Sequence, residues 1–142
     1  MIKAIPAMPA PYNHDLPLTG IGVRAAHVRE LLSSRPKLGF LEAHSENYFA
    51  RNPARRQLLA LRHDYPISLH GVGLSLGRAD GLDEGHLTEI AALAKDIEPV
   101  FISEHLAWSA YSHRHVPDLL PLPLNHAALD SVCQHVARMQ DA

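Results

Sequence analysis

Phe40-Leu41-Glu42-Ala43-His44, Ile67-Ser68-Leu69-His70 and Phe101-Ile102-Ser103-Glu104-His105 decide the fold of this chain. Each is a short apolar run that closes on a polar residue, a spacer and a histidine. Side chains alternate across a strand, so Glu42 and His44, Ser68 and His70, and Ser103 and His105 each share one face. Laid side by side and parallel, the three runs gather their histidines at strand carboxyl ends. Parallel α/β folds build ligand and metal sites at those ends.

Working outward, strand and helix alternate. A Gly-rich strand is expected at 20–24, followed by a helix through about Leu32. After the strand at 39–44, Asn52-Pro53 starts a helix, with Asn as the cap and Pro in the first helical position. Leu58, Leu59 and Leu61 supply part of its buried face, and Pro66 stops it ahead of strand 67–70. A helix beginning near Asp83 carries Leu87, Ile90, Ala91 and Ala94 at i, i+3, i+4 and i+7. Pro99 closes it before strand 100–105. Asn125 caps the last helix, where Leu124 and Leu129 stand at the positions of a hydrophobic staple. Leu129, Val132, Cys133 and Val136 repeat the helical period there, so Cys133 is expected in the core.

This order implies a parallel sheet with right-handed crossovers. From His44 to His70 is 26 residues and from His70 to His105 is 35. These spacings bracket the roughly 31 residues per unit of an eightfold barrel of about 250 residues. A flavodoxin-like open sheet fits the alternation too, but it packs helices on both faces and seldom places Ser-x-His on several strands. The expected fold class is therefore α/β, the N-terminal half of a TIM-type (β/α)8 barrel with about four parallel β/α units. Residues 1–19, with Pro6, Pro9, Pro11 and Pro17, read as a Pro-rich leader, and 20–142 as the half-barrel domain.

Composition narrows the function. The chain has 142 residues, 13 basic against 15 acidic, and one cysteine. Near-balanced charge gives no support for nucleic acid or an anionic membrane as partner. A single cysteine excludes an internal disulfide and a Cys-rich zinc site, and fits a reducing compartment. No stretch approaches the roughly 20 apolar residues of a membrane helix, and a cytoplasmic location is the expectation. Eleven histidines are the oddity. His63 and His86, and His126 and His135, fall on helices, where a place on the polar face is the simplest reading. His14 is in the leader, and His113 and His115 are in the long connection 106–124. That connection, with Trp108, Tyr111 and Asp118, reads either as a functional loop or as an apolar lid on the barrel rim. The run Gly71-Val72-Gly73-Leu74-Ser75-Leu76-Gly77 lacks the order of a dinucleotide loop, so its glycines bring backbone close to a site or simply turn it.

Several stretches together carry a resemblance. They are Gly20-Ile21-Gly22-Val23-Arg24, Leu41-Glu42 with Glu46-Asn47, Ile67 through Gly77, Ser103-Glu104-His105-Leu106-Ala107-Trp108, and Asp118-Leu119-Leu120-Pro121-Leu122-Pro123. They resemble a bacterial family long catalogued as uncharacterised, whose studied members are multinuclear non-haem iron-dependent oxidative enzymes, the methanobactin-biosynthesis oxidase among them. The resemblance implies a TIM-type barrel with two or three iron ions at its carboxyl-end face. It also implies dioxygen-dependent remodelling of cysteine, or another side chain, in a ribosomally made precursor peptide, with a small partner protein presenting that peptide. His70 and His105 fall on the family's histidine ligand positions. Glu42, Glu46, Asn47 and Glu104 are implied as residues that orient the ligands or face the substrate, and His44, Trp108 and Asp118 are weaker candidates.

Family members run to about twice this length, and their second half supplies the bridging glutamate and further ligands. Two histidines cannot hold a multinuclear centre, which needs carboxylates to bridge and neutralise it. The expectation is thus an amino-terminal fragment, inactive alone. The alternatives are a half barrel that self-associates through its exposed edges or pairs with a separate second half, and a non-catalytic module that binds a partner or peptide. Without the resemblance, a zinc or manganese barrel hydrolase or isomerase would be the reading.

Overall fold

A computed structural model describes residues 19–112 and 114–142. The expected leader lies outside this range except for Thr19, as do His14 and His113. The chain runs β1 (Gly20–Gly22), α1 (Ala25–Ser34), β2 (Phe40–His44), a 3₁₀ turn (Ser45–Tyr48), α2 (Pro53–Arg62) and β3 (Ile67–Gly71). It continues with α3 (Glu84–Ile97), β4 (Phe101–Glu104), β5 (Trp108–Tyr111), β6 (Arg114–Leu120) and α4 (His126–Gln140).

Local chemistry sets the boundaries. The Asn52 side chain accepts from the Arg55 amide at 3.1 Å, and Pro53 opens α2. Asp83 likewise accepts from the His86 amide at 3.1 Å, and Asn125 from the Ala128 amide at 2.9 Å. Each supplies an acceptor for an amide that has no partner within its own helix.

β1 to β4 form one parallel sheet in the order β1-β2-β3-β4, so every strand pairs with its neighbour in sequence. A flavodoxin-like sheet reverses that order partway, and this one does not. The α/β pattern is that of part of a TIM-type barrel. Register places Phe40, Glu42, His44, Ser68, His70, Phe101 and Ser103 on one face. Leu41, Ala43, Ile67 and Leu69 lie on the other, fully buried against Val28, Leu31, Leu58, Leu61, Leu93 and Ile97 of α1, α2 and α3. Burying each of these Leu or Ile side chains contributes about 1.5–3 kcal/mol. The sheet is thus covered by helices on one face and open on the other, as in a barrel wall.

Three expectations need correction. The connection 106–124 is no open loop: β5 and β6 pair as an antiparallel hairpin with an irregular register between Trp108 and Ala110. Ser75, with φ at +61°, turns its Oγ to accept from the amides of Ser109 (2.9 Å) and Ala110 (3.3 Å). Asp80 accepts from the Ser112 amide at 2.7 Å and anchors the tip. Pro117 is tolerated in β6 because, among the described residues, that strand pairs with β5 alone and keeps a free edge.

Cys133 is exposed, not core. α4 docks through Val136 and Met139 on a second cluster, Leu74, Leu76, Leu87 and Ile90, rather than on the sheet. His135 Nδ1 donates to the Leu76 carbonyl at 2.8 Å and Ser131 Oγ to the Arg78 carbonyl at 3.3 Å, which fixes the helix rotation and turns Cys133 outward. Leu129 is consequently 58% exposed and Leu124 fully exposed, so the staple pair is not buried.

Candidate metal centre

Two groups of metal-ligating side chains meet the carboxyl ends of the strands, one on each face of the sheet. On the open face, His44 pairs in register with His70, and His70 with Ser103. The rings of His44 and His70 lie 5.9 Å apart between centroids, and those of His70 and His105 only 4.6 Å. His105 Nδ1 sits 3.2 Å from the Gly71 carbonyl, which can only accept, so this nitrogen carries the proton. His70 Nδ1 lies 2.8 Å from Ser103 Oγ, and that hydroxyl is 3.5 Å from the Leu69 carbonyl. A hydroxyl donating to Leu69 accepts from Nδ1–H, giving His70 the same tautomer. In both rings Nε2 is then the nitrogen with a lone pair, the usual arrangement when a second acceptor orients a metal-binding imidazole.

On the helix-covered face stand Glu46 of the 3₁₀ turn, His86 of α3 and Glu104 of β4. One ligand atom from each lies within 4.8 Å of the others. Glu46 Oε1 accepts from the amides of Val72 (2.8 Å) and Gly73 (2.7 Å) and lies 3.4 Å from His86 Nε2, an ion-pair distance without hydrogen-bond geometry. Glu104 Oε1 accepts from the His105 amide at 3.0 Å. Glu46 Oε2, Glu104 Oε2 and His86 Nε2 are all buried and have no hydrogen-bond partner.

The electrostatics of the two carboxylates diverge. Burial would raise the Glu46 carboxyl, but the His86 imidazole and the Val72 and Gly73 amides outweigh it and hold the group at about 2. Burial pushes Glu104 up to about 7; the His105 amide opposes this only in part, and the neighbouring Glu46 carboxylate adds to it.

Of the remaining sequence candidates, His44, Glu46 and Asp118 line one cleft of ≈450 Å³, with His115 and Ser109 beside them, under the β5–β6 hairpin. Glu42 is exposed on the open face below His44, and Asn47 is exposed after Glu46. Trp108 is placed elsewhere: its Nε1 donates to the Pro121 carbonyl at 3.1 Å and holds the hairpin closed. His86 is the residue sequence reasoning passed over. Its helical position hid it, although Asp83-x-x-His86 marks it as a first-turn residue facing the strand ends.

The single-sided β/α array, with imidazoles and carboxylates at the carboxyl ends of its strands, defines a chain of TIM-barrel type bearing a candidate metal site. Sequence comparison then sets the relationship. The profile described as "RiPP precursor modification enzyme MbnB/TglH/ChrH" matches residues 18–142, and the chain belongs to that family. It is 48% identical over 123 residues to a UPF0276 protein of Chromobacterium violaceum, covering 87% of this chain and 45% of that protein. A UPF0276 protein of Vibrio parahaemolyticus is 44% identical over 126 residues (88% and 44%), and one of Paraburkholderia phytofirmans 45% over 124 (87% and 40%). The chain spans less than half the length of these curated relatives.

Proposed function

We propose that residues 20–142 form the amino-terminal half barrel of an iron- and dioxygen-dependent enzyme that oxidises a cysteine-type side chain of a ribosomally made precursor peptide. The observation that carries this reading is the His70/His105 pair, with both Nδ1 atoms engaged and both Nε2 atoms left for a ligand. Imidazole nitrogens suit ferrous iron. The pair fits one side of such a centre, with Ser103 and the Gly71 carbonyl orienting the rings. Bound iron would supply dioxygen activation. The cleft between the strand ends and the hairpin would receive the peptide segment, with Asp118 and His115 beside it. A small partner protein would present the peptide, and the cytoplasm, where such peptides are made, would be the setting.

Oxidative activity is assigned to the completed barrel. Two imidazoles lack the bridging carboxylates of a centre with two or three irons, and this half alone is inactive in our reading. The outer edges of β1 and β4 have no strand partner among the described residues, and Phe101 is 47% exposed on the open face. Both features favour completion by further β/α units, from a second half or a second copy.

The test is native mass spectrometry of the full chain, prepared anaerobically with ferrous iron, alongside His70→Ala and His105→Ala. Iron is expected on the parent, alone or as an assembly. Each variant should lose affinity beyond the about 10–100-fold typical of losing an outer partner. Equal iron occupancy in parent and variants would refute the assignment.

A further inference from the structure

We propose that Glu46, His86 and Glu104 form a second divalent-cation site, separate from the His70/His105 pair, that pins the 3₁₀ turn, α3 and β4 together. The inference does not depend on the iron reading above.

Three observations support it. Glu46 Oε2, His86 Nε2 and Glu104 Oε2 are each buried without a hydrogen-bond partner, and one ligand atom from each of the three side chains, on three different elements, lies within 4.8 Å of the others. Buried polar atoms are nearly always satisfied, so three orphans on three side chains that gather this closely point to a missing common partner. Next, two glycines shape the space. A Cβ on Gly71 would overlap Glu104 Oε2, and one on Gly73 would stand 2.8 Å from His86 Cε1 and 3.2 Å from Glu46 Oε1. Neither glycine has a positive φ, so they are needed here for room and not for a turn. Finally, neither carboxylate pairs with a Lys or Arg among the described residues, leaving the negative charge for a cation to neutralise.

The donor set names the ligand class. One imidazole and two carboxylates suit a borderline first-row divalent ion such as Mn²⁺, Fe²⁺, Co²⁺ or Zn²⁺. Bonds of about 2.1 Å place tetrahedral ligands about 3.4 Å apart, so side-chain torsions close the site from its present spacing. The Val72 and Gly73 amides hold the Glu46 carboxylate through Oε1, and Phe49 packs edge-on against the His86 ring at 5.1 Å, so two of the three ligands are already oriented.

The experiment is a Co²⁺ titration of the full chain under argon, read by visible absorption and by thermal unfolding. The parent is compared with the His70→Ala/His105→Ala double variant, and that variant with the same protein carrying His86→Ala, Glu104→Gln or Gly73→Ala in addition. The double variant is expected to bind one Co²⁺ and gain several degrees in Tm. His86→Ala and Glu104→Gln should each weaken this at least about 100-fold. Gly73→Ala fills the cradle without removing a ligand and serves if the others fail to fold; it should abolish binding too. A double variant that binds no Co²⁺ would mean the carboxylates share only a proton, and the proposal falls. Binding that survives both His86→Ala and Glu104→Gln overturns it as well. If the parent and the double variant both bind one ion, the iron assignment fails and this one stands.

Discussion

Arg55 is the residue whose removal tests how the site is held. Its side chain is 4% exposed in the first turn of α2. Nη1 donates to the carbonyls of Tyr48 (3.3 Å) and Phe49 (2.9 Å), and Nη2 to the Ala92 carbonyl (3.0 Å) and Asp96 Oδ2 (2.8 Å). One guanidinium therefore joins the end of the turn that carries Glu46 to the helix that carries His86. Arg55→Met keeps the aliphatic stem and deletes all four bonds. Breaking a buried ion pair costs about 3–5 kcal/mol. Here the Asp96 side chain is one-third exposed and lies 3.8 Å from Arg51, so it rehydrates and the pair sits at the lower end. Three carbonyls that lose their donor keep the total near 3 kcal/mol.

For a chain of this size that loss lowers Tm by about 10 °C. Urea unfolding at pH 7 reads it directly. Arg55→Lys retains the charge but cannot span four acceptors, and should recover less than half. The reasoning fails if Arg55→Met costs under about 1 kcal/mol, the range of an ordinary surface change. It also fails if lysine restores full stability, since the fork geometry would then be irrelevant.

Leu93→Ala, at a fully buried position where α3 meets the sheet, should cost about 2–5 kcal/mol in urea unfolding. Cys133→Ser should stay within about 0.5 kcal/mol of the parent, and Cys133 should react rapidly with a thiol reagent in the folded state. In chelator, the Glu104 carboxyl stays protonated in the folded chain up to about 7 but ionises near 4.5 when unfolded. Between those values the folded state binds more protons, so stability falls as pH rises. The urea midpoint of the parent should drop relative to Glu104→Gln across that window; a constant difference would contradict the burial argument. Glu46 acts the other way: its contribution is complete above 4.5 and is lost as pH falls towards 2, where Glu46→Gln should match the parent.

What was legible in the sequence was local. Asn52-Pro53, Asp83 and Asn125 cap their own helices, Pro66 and Pro99 end them, and period-two alternation assigned Glu42, His44, Ser68 and His70 to one face. These features depend on neighbours within a few residues. The hairpin was not legible because its edge is set by Ser75 and Asp80, more than 30 residues upstream, and because Pro117 argues locally against a strand. Cys133 misled for a related reason. Helical period locates a stripe, but the docking partner, here the Leu74–Leu76 segment, decides which side of that stripe is covered. His86 was missed because periodicity makes it a polar helix residue, and only the tertiary fold brings Glu46 and Glu104 to it.

Gly71 joins the two faces, and a single methyl there separates them. Its carbonyl accepts from both the backbone N–H and Nδ1 of His105, fixing the tautomer on the open face. Its missing side chain leaves the space that the Glu104 carboxylate fills on the other face. Gly71→Ala retains the carbonyl and introduces a Cβ into that space, at a φ that alanine accepts. The Glu104 carboxylate must swing away, so the Co²⁺ affinity of the Glu46/His86/Glu104 group should fall by at least about 10-fold, the usual consequence of disturbing a ligand's support. The His105 imidazole should keep its Nδ1–H form, observable as an unchanged ¹⁵N shift pattern. If the His105 tautomer changes while Co²⁺ affinity at the carboxylate group holds, Gly71 serves the open face through its backbone geometry, and the separation of the two sites argued here is wrong.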